Sequence, residues 1–285
     1  MRIDQVIQQG VAQLAALSSS NKLTETPELD VQLLLAEVLG VNTSYFYTWP
    51  EKQVSEEDRV RFDALLAQRL KGRPIAYILG YQAFWTFELA VSEFTLIPRS
   101  DTESLVEIGL ELIADVKSPS ILDLGTGTGA VALALASERS DANVSAVDLI
   151  PEAVELAKQN NQKLSLNVDI QQSSWFDNVA TTGFALIVSN PPYIDPEDHH
   201  LDEGDVRFEP KTALIADLKG YSDIEIIARD AKAHLAINGW LAFEHGYDQG
   251  EGARKILEKN GYHKIETRKD YGGNDRVTLG QYSDC

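Results

Sequence analysis

The sequence predicts an α/β protein: a doubly wound, mostly parallel sheet, preceded by a small all-helical domain and a β-hairpin connector. Three observations predict it. Residues 1–75 carry apolar side chains at helical spacing, and residues 76–97 turn to β-branched and aromatic residues around Gly80 and polar breaks. From residue 98 onward, strand-like and helix-like segments alternate, which implies parallel βαβ units. The domains are therefore expected at 1–75, 76–97 and 98–285.

In the helical part, Val6, Ile7, Val11, Leu14 and Leu17 share one face. Thr26-Pro27-Glu28-Leu29-Asp30 is a helix start with Pro at an early position, and it leads into Val31, Leu33, Leu34, Leu35, Val38 and Leu39 before Gly40. A further amphipathic helix is expected from Glu56 to Leu70, stopped by Gly72-Arg73-Pro74. The connector holds Tyr77-Ile78-Leu79, Phe84-Trp85-Thr86-Phe87 and Phe94-Thr95-Leu96-Ile97. Beyond it, strands are expected at 120–124, 143–148, 167–171, 184–189, 239–244, 262–268 and 276–281, the last giving an antiparallel finish. Helices are expected at 101–115, 130–138, 151–163, 222–236 and 248–260.

Composition narrows the function. A chain of 285 residues, 44% hydrophobic and 24% charged, has the make-up of a soluble globular protein. It has no apolar run of about 18 residues and no apolar leader, so no membrane association is expected. Its single cysteine, Cys285, allows no intrachain disulfide and no cysteine-based metal site, and a reducing cytoplasm fits best. The net charge is −19: residues 1–98 hold 12 acids against 8 bases, and residues 99–285 hold 32 against 17. Binding to phosphates needs clustered Lys and Arg, so direct nucleic-acid binding is not expected.

Ser120-Ile-Leu-Asp-Leu-Gly-Thr-Gly-Thr-Gly-Ala130 sets Gly125, Gly127 and Gly129, with Thr126 and Thr128 between them, at a strand-to-helix turn. Such a loop lets a ligand approach the backbone. The spacing also satisfies the dinucleotide pattern, so the glycines alone do not choose between nucleoside cofactors. Asp148, ending the next strand, is placed to accept both ribose hydroxyls; as a plain helix cap it would be imperfect. Asp123 adds a second acid. Two carboxylates suit a sulfonium better than a pyrophosphate, which tilts the reading toward S-adenosylmethionine.

The fourth strand ends in Asn190-Pro191-Pro192-Tyr193. Prolines carry no N–H, so the carbonyls of Asn190 and Pro191 are free to face a ligand. With the Asn190 side-chain oxygen they form two acceptors for one –NH2 group, against whose plane Tyr193 can lie. Such a clamp aligns a poorly nucleophilic amide nitrogen with a methyl sulfonium, and positioning of this kind supplies on the order of 7–11 kcal/mol. No metal is needed.

With these residues in place, the sequence resembles the release-factor glutamine methyltransferases. The strings that carry the resemblance are Pro98-Arg-Ser-Asp-Thr-Glu103, Asp123–Ala130, Asn190–Tyr193, Gly204-Asp-Val-Arg-Phe-Glu-Pro210, Glu244-His-Gly246 and Asn274-Asp-Arg276. The resemblance implies a helical substrate-recognition domain, a hairpin, and a seven-stranded Rossmann-like domain. It implies methyl transfer from S-adenosyl-L-methionine, leaving S-adenosyl-L-homocysteine, to the N5 amide of the glutamine in the Gly-Gly-Gln motif of class I release factors. It also implies that Gly125–Gly129 wrap the methionine part, Asp148 holds the ribose, Trp175 flanks adenine, and Asn190, Pro191, Pro192 and Tyr193 hold the glutamine, Asn190 counting among the cofactor's contacts as well. Relatives place an acid before that Trp, and here Ser174 stands instead. A monomer is expected. The alternatives are an amino-methyltransferase acting on adenine N6 of a nucleic acid, and one acting on a ribosomal-protein glutamine.

Weaker features complete the reading. Ser100-Asp-Thr-Glu103 has the spacing of a capping box, and His245 reads as a hydrogen-bonded structural histidine. Tyr45-Phe-Tyr47 and Trp49 read as packing residues. Asp195, Glu197, Asp198, Asp202, Glu203, Asp205 and Glu209, facing only Arg207, read as an acidic loop that attracts a basic protein segment.

Overall fold

The computed structural model describes residues 1–21, 24–198, 201 and 204–283. Side chains 17–21, and with them the Leu17 position, lie outside the described set, as do Asp202, Glu203 and Cys285. The chain divides into two compact units: Met1–Tyr81 with His199–Phe208, and Gln82–Asp198 with Glu209–Cys285.

The first unit contains α1 (Ile3–Asn21), α2 (Pro27–Leu39), α3 (Ser44–Thr48), α4 (Glu56–Leu70) and α5 (Ile75–Leu79). Pro27 opens α2 with its φ already helical. Ser55 caps α4 by accepting the Asp58 N–H at 3.0 Å. Ile3, Val6, Leu14, Val31, Leu34 and Phe62 form its core. A buried Arg69 reaches Asp30 at 2.7 Å and Asp205 at 2.7 Å, so the guanidinium is paired on two sides. Of the aromatic cluster only Phe46 is buried; Tyr47 and Trp49 are 73% and 45% exposed, which corrects their reading as packing residues.

The segment Ile75–Leu79 is helical, not extended. Pro74 sets its start and Gly80 (φ +83) ends it, and a five-residue apolar run does not distinguish helix from strand by periodicity. The hairpin follows as β1 (Tyr81–Phe84) and β2 (Phe87–Ala90), turning through Trp85 at φ +57.

The second unit continues with α6 (Glu103–Leu112), β3 (Ser120–Leu124), α7 (Ala130–Glu138), β4 (Asn143–Asp148), α8 (Pro151–Leu164), β5 (Val168–Gln172) and β6 (Phe184–Ser189). A short helix α9 (Lys211–Leu214) and a left-handed turn α10 (Asp217–Gly220), with Leu218 and Lys219 at positive φ, precede α11 (Ser222–Asp230), β7 (Leu235–Glu244), α12 (Gly250–Lys259), β8 (His263–Lys269) and β9 (Asp275–Gln281). The described strands form a seven-stranded sheet in the order β5-β4-β3-β6-β7-β9-β8. β3 pairs in parallel with both β4 and β6, and β9 runs antiparallel to β7 and β8.

Burial follows the two-residue period of a strand. On β6, Leu186 and Val188 join a core with α6, α7 and α8, while Ile187 joins one with α11 and α12. Helices thus cover both faces, as near-continuous apolar strands require. The strand order reverses between β3 and β6, and the carboxyl ends of those two strands mark the crevice where such sheets bind ligands. The glycine loop and Asn190–Tyr193 emerge at that place. Among the described residues no helix is long and apolar enough to cross a membrane.

Candidate active site

Gly125, Gly127 and Gly129 have φ of +69, +57 and +85, the left-handed region that side chains rarely tolerate. A Cβ on Gly127 would meet nothing within 4 Å, so the backbone there is approachable. Gly129 closes the loop as the N-cap of α7. Asp123 is buried and holds the loop from beneath: its Oδ2 accepts from the Thr126 hydroxyl at 2.6 Å and from the Ala132 N–H at 3.2 Å. Burial pushes its carboxyl up to about 7, while those two bonds work the other way.

Asp148 accepts the Gly127 N–H at 2.8 Å on one oxygen and the Ile150 N–H at 2.9 Å on the other. The Ile150 bond fixes the turn that leads into α8, whose N-cap receives no side-chain cap, and the Gly127 bond braces the glycine loop. Each carboxylate oxygen has a second lone pair, and the residue lines a cavity shared with Gly125–Thr128, Trp175 and Asn190. Burial raises the Asp148 pKa, partly offset by those backbone donors.

At the end of β6, Asn190 Nδ2 donates to Thr102 Oγ1 at 3.2 Å. That bond commits the amine end of the amide and leaves Oδ1 as the acceptor. Pro192 also lines the cavity, whereas Pro191 and Tyr193 are not among its lining residues. The Tyr193 hydroxyl instead donates to Glu244 Oε1 at 3.2 Å. Its pKa is driven well above that of an ordinary phenol, by burial first and then by the Glu244 carboxylate.

Glu244 ends β7, is 2% exposed, and among the described residues its Oε2 has no hydrogen-bond partner. Desolvation raises its pKa, against the lowering effects of the Thr102 hydroxyl, Arg276 and Tyr193. Arg276 in turn pairs with Asp270 at 3.0 Å and Asp101 at 3.4 Å. Four strings scattered through the sequence thus meet around one buried carboxylate.

The turn after the clamp is held by backbone. Ile194 donates to Leu214 O at 2.9 Å and accepts from Ala216 at 3.0 Å, and the Gln249 amide donates to Tyr193 O at 2.9 Å. Gly220 (φ +82) packs so closely that a Cβ there would stand 2.0 Å from the Tyr193 carbonyl oxygen. Gly220→Ala is expected to cost about 2 kcal/mol of stability, read in a denaturant titration, because strained φ and a backbone clash add. An unchanged midpoint would refute this packing account.

Two expectations need correction. Ser100–Glu103 is not a capping box. The first turn there is 3-10, no side chain caps it, and Glu103 accepts the Trp85 N–H of the hairpin turn at 2.7 Å. The acidic loop is also less bare than its sequence: Asp205 is paired with Arg69, and Glu209 is buried and paired with Arg99. Both partners are distant in sequence, which is why counting local charge missed them. His245 has both ring nitrogens engaged, with the Gly246 carbonyl and the Thr278 hydroxyl at 2.8 Å each. Thr102, Glu244, Gly220 and Asp223, the last another cavity residue, carry no local signal of a role; only the strings containing Thr102 and Glu244 had drawn notice.

Comparison with known proteins adds the family. Residues 5–80 match the model described as the PrmC N-terminal domain, and residues 104–205 match the methyltransferase small domain. A "Release factor glutamine methyltransferase" of Aliivibrio fischeri is 52% identical over 261 residues, 91% of this chain and 92% of that protein. The protein of the same name from Escherichia coli is 49% identical over 265 residues, 93% and 95% of the two chains. In Pseudomonas aeruginosa the figures are 50% over 273 residues, 95% and 99%. A crystal structure of a methyltransferase from Pyrococcus furiosus superposes with a TM-score of 0.53 at 17% identity, over 71% of this chain and 92% of that one, which speaks for the fold. Shared identity near one half across almost the whole length leaves one conclusion: the chain belongs to the release factor glutamine methyltransferases.

Proposed function

We propose that this enzyme transfers a methyl group from S-adenosylmethionine to the N5 amide of the Gly-Gly-Gln glutamine of class I release factors, in the cytoplasm and as a monomer. The observation that carries the chemistry is the Asn190 amide, whose Nδ2 is committed to Thr102 so that Oδ1 is the end left to accept. The cavity suits the cofactor: an open backbone at Gly127, two carboxylates near the loop, and an indole beside Gly125. The cofactor supplies an electrophilic methyl on a sulfonium.

The chain's own residues do the rest. Gly125–Gly129 let the backbone approach the methionine part, Asp148 accepts the ribose hydroxyls, and Trp175 flanks the base. Asn190 Oδ1 and the Pro191 carbonyl accept both N–H groups of the glutamine carboxamide, fix its plane and push electron density onto nitrogen. Tyr193, anchored by Glu244, backs that plane. The nitrogen loses its proton during or after transfer, so no strong base is required beforehand.

The net charge of −19 favours a protein substrate over a nucleic acid. Labelled S-adenosylmethionine offered with a release factor, a ribosomal protein or DNA tests the reading, with mass spectrometry locating the methyl. Label on the release-factor glutamine is expected; label on DNA alone would overturn it.

Asp123 adds a pH dependence. Above about 7 its carboxylate is ionised and attracts the cationic cofactor; below, it is neutral. Cofactor Kd is therefore expected to rise by up to roughly tenfold per unit as pH falls below 7. Asp123→Asn should flatten the profile in calorimetry, and a wild-type Kd indifferent to pH would refute it. The raised pKa has the opposite sign for the fold, which gains stability as pH falls from about 7 toward 3.8.

A further inference from the structure

Four charged side chains line the cavity: Arg99, Asp123, Asp148 and Asp223. Arg99 is paired with Glu209, Asp123 holds the glycine loop, and Asp148 braces the loop beside the ribose position. Asp223 has no part in any of this. It lies in the first turn of α11, and in this fold that helix starts at the carboxyl-end edge of the sheet. The indole N–H of Trp175 and the Ser222 hydroxyl lie against its carboxylate. A carboxylate offers about four lone-pair sites, so these two donors leave acceptor capacity facing the cavity.

The surroundings sharpen the point. The same cavity is also lined by Leu149, Ile150, Ser174, Thr212 and Ala213. Trp175 itself is held at φ +43, with its ring 3.5 Å from where a Gly125 Cβ would stand, so the indole is fixed against the glycine loop. The wall thus combines an aromatic face, aliphatic side chains, hydroxyls and one carboxylate. That set fits a flat heterocycle carrying a donor on its edge. With Ser174 before the Trp and Asp177 not lining the cavity, the carboxylate beside the indole comes from a helix 48 residues later in the chain (175 to 223).

We propose that Asp223 accepts a hydrogen bond from the exocyclic 6-amino group of the cofactor's adenine and makes the site select adenine over hypoxanthine. This rests on the cofactor reading given above. The chemistry is asymmetric: adenine offers two N–H donors at C6, whereas hypoxanthine offers a carbonyl oxygen that a carboxylate repels. A hydrogen bond to a charged acceptor gives about 10- to 100-fold in affinity, and leaving a polar group wrongly paired adds to the discrimination. Trp175, donating to the same carboxylate, would keep it aimed at the base.

The test is calorimetry on the full chain with S-adenosylhomocysteine and S-inosylhomocysteine, which differ at C6, amino against carbonyl, and at N1, which carries a proton only in the inosyl base. Wild type is expected to prefer the adenosyl ligand by about tenfold or more. Asp223→Ala should bring the two ligands within about twofold, weakening the adenosyl ligand and relieving the repulsion on the inosyl one. Asp223→Asn, which keeps the size and supplies an N–H for the hypoxanthine oxygen, should also erase the preference. Equal weakening of both ligands in Asp223→Ala would mean that the carboxylate merely holds Trp175, and would overturn the proposal. Adenosyl preference retained in both variants, or absent from wild type, would overturn it as well. Failure of wild type to bind S-adenosylhomocysteine at all would bring down the cofactor reading together with this one.

Discussion

Asn190→Ala is expected to lower kcat by about 10²- to 10³-fold while cofactor affinity stays within about twofold of wild type. The asymmetry follows from the geometry. Asn190 Oδ1 is the acceptor that the Thr102 bond leaves available, and the group it receives exists only when glutamine is bound. Its loss removes one hydrogen bond at the reacting nitrogen, where charge changes during transfer, and leaves the glycine loop untouched. Single-turnover rates with pre-bound cofactor measure the effect on the chemical step. Turnover within threefold of wild type would end the clamp mechanism. Thr102→Val provides a graded companion: the amide keeps its oxygen but loses the hydroxyl that fixes its orientation. A fall of about tenfold in kcat, with cofactor affinity unchanged, is expected from misorientation alone.

Asp148→Ala should act on the other ligand. Two charge-assisted hydrogen bonds to ribose hydroxyls contribute about 1.5–3 kcal/mol each, so cofactor Kd is expected to rise by about 10²-fold or more. Part of that loss has a source the ribose does not share: the Gly127 and Ile150 N–H groups lose their acceptor, and the loop loosens before any ligand arrives. Asp148→Asn separates the contributions, because its oxygen can still hold one of the two N–H groups. At saturating cofactor kcat should return to within a few-fold of wild type, since the clamp is intact. Calorimetry that finds unchanged affinity in Asp148→Ala would refute the ribose assignment.

The acidic loop shows how a surface argument changes once partners are known. Its sequence offers seven acids against Arg207, yet Asp205 and Glu209 are spent on Arg69 and Arg99. Steering of a basic segment must therefore rest on fewer charges than a count suggests, among them the half-buried Asp195 and the exposed Glu197. Attraction screened by salt falls with every acid so neutralised.

The sequence by itself determined what lies within a short window. The alternation of β3 to β6 with their helices, the left-handed glycines of the loop, and the proline-terminated strand at Asn190 are each properties of about ten consecutive residues, because strand period, backbone sterics and the missing proline N–H are local. The helix at Ile75–Leu79 was hidden even at that range, since its apolar run is too short for period to show. Tertiary structure alone decided the partners. Thr102 meets Asn190 across 88 positions and Tyr193 meets Glu244 across 51. Asp223 arrives beside Trp175 from another helix, and Gly220 is required only because the Tyr193 carbonyl passes beneath it. Hydrogen bonds and close packing depend on distance in space, which chain order does not encode until the sheet has set the order of its strands.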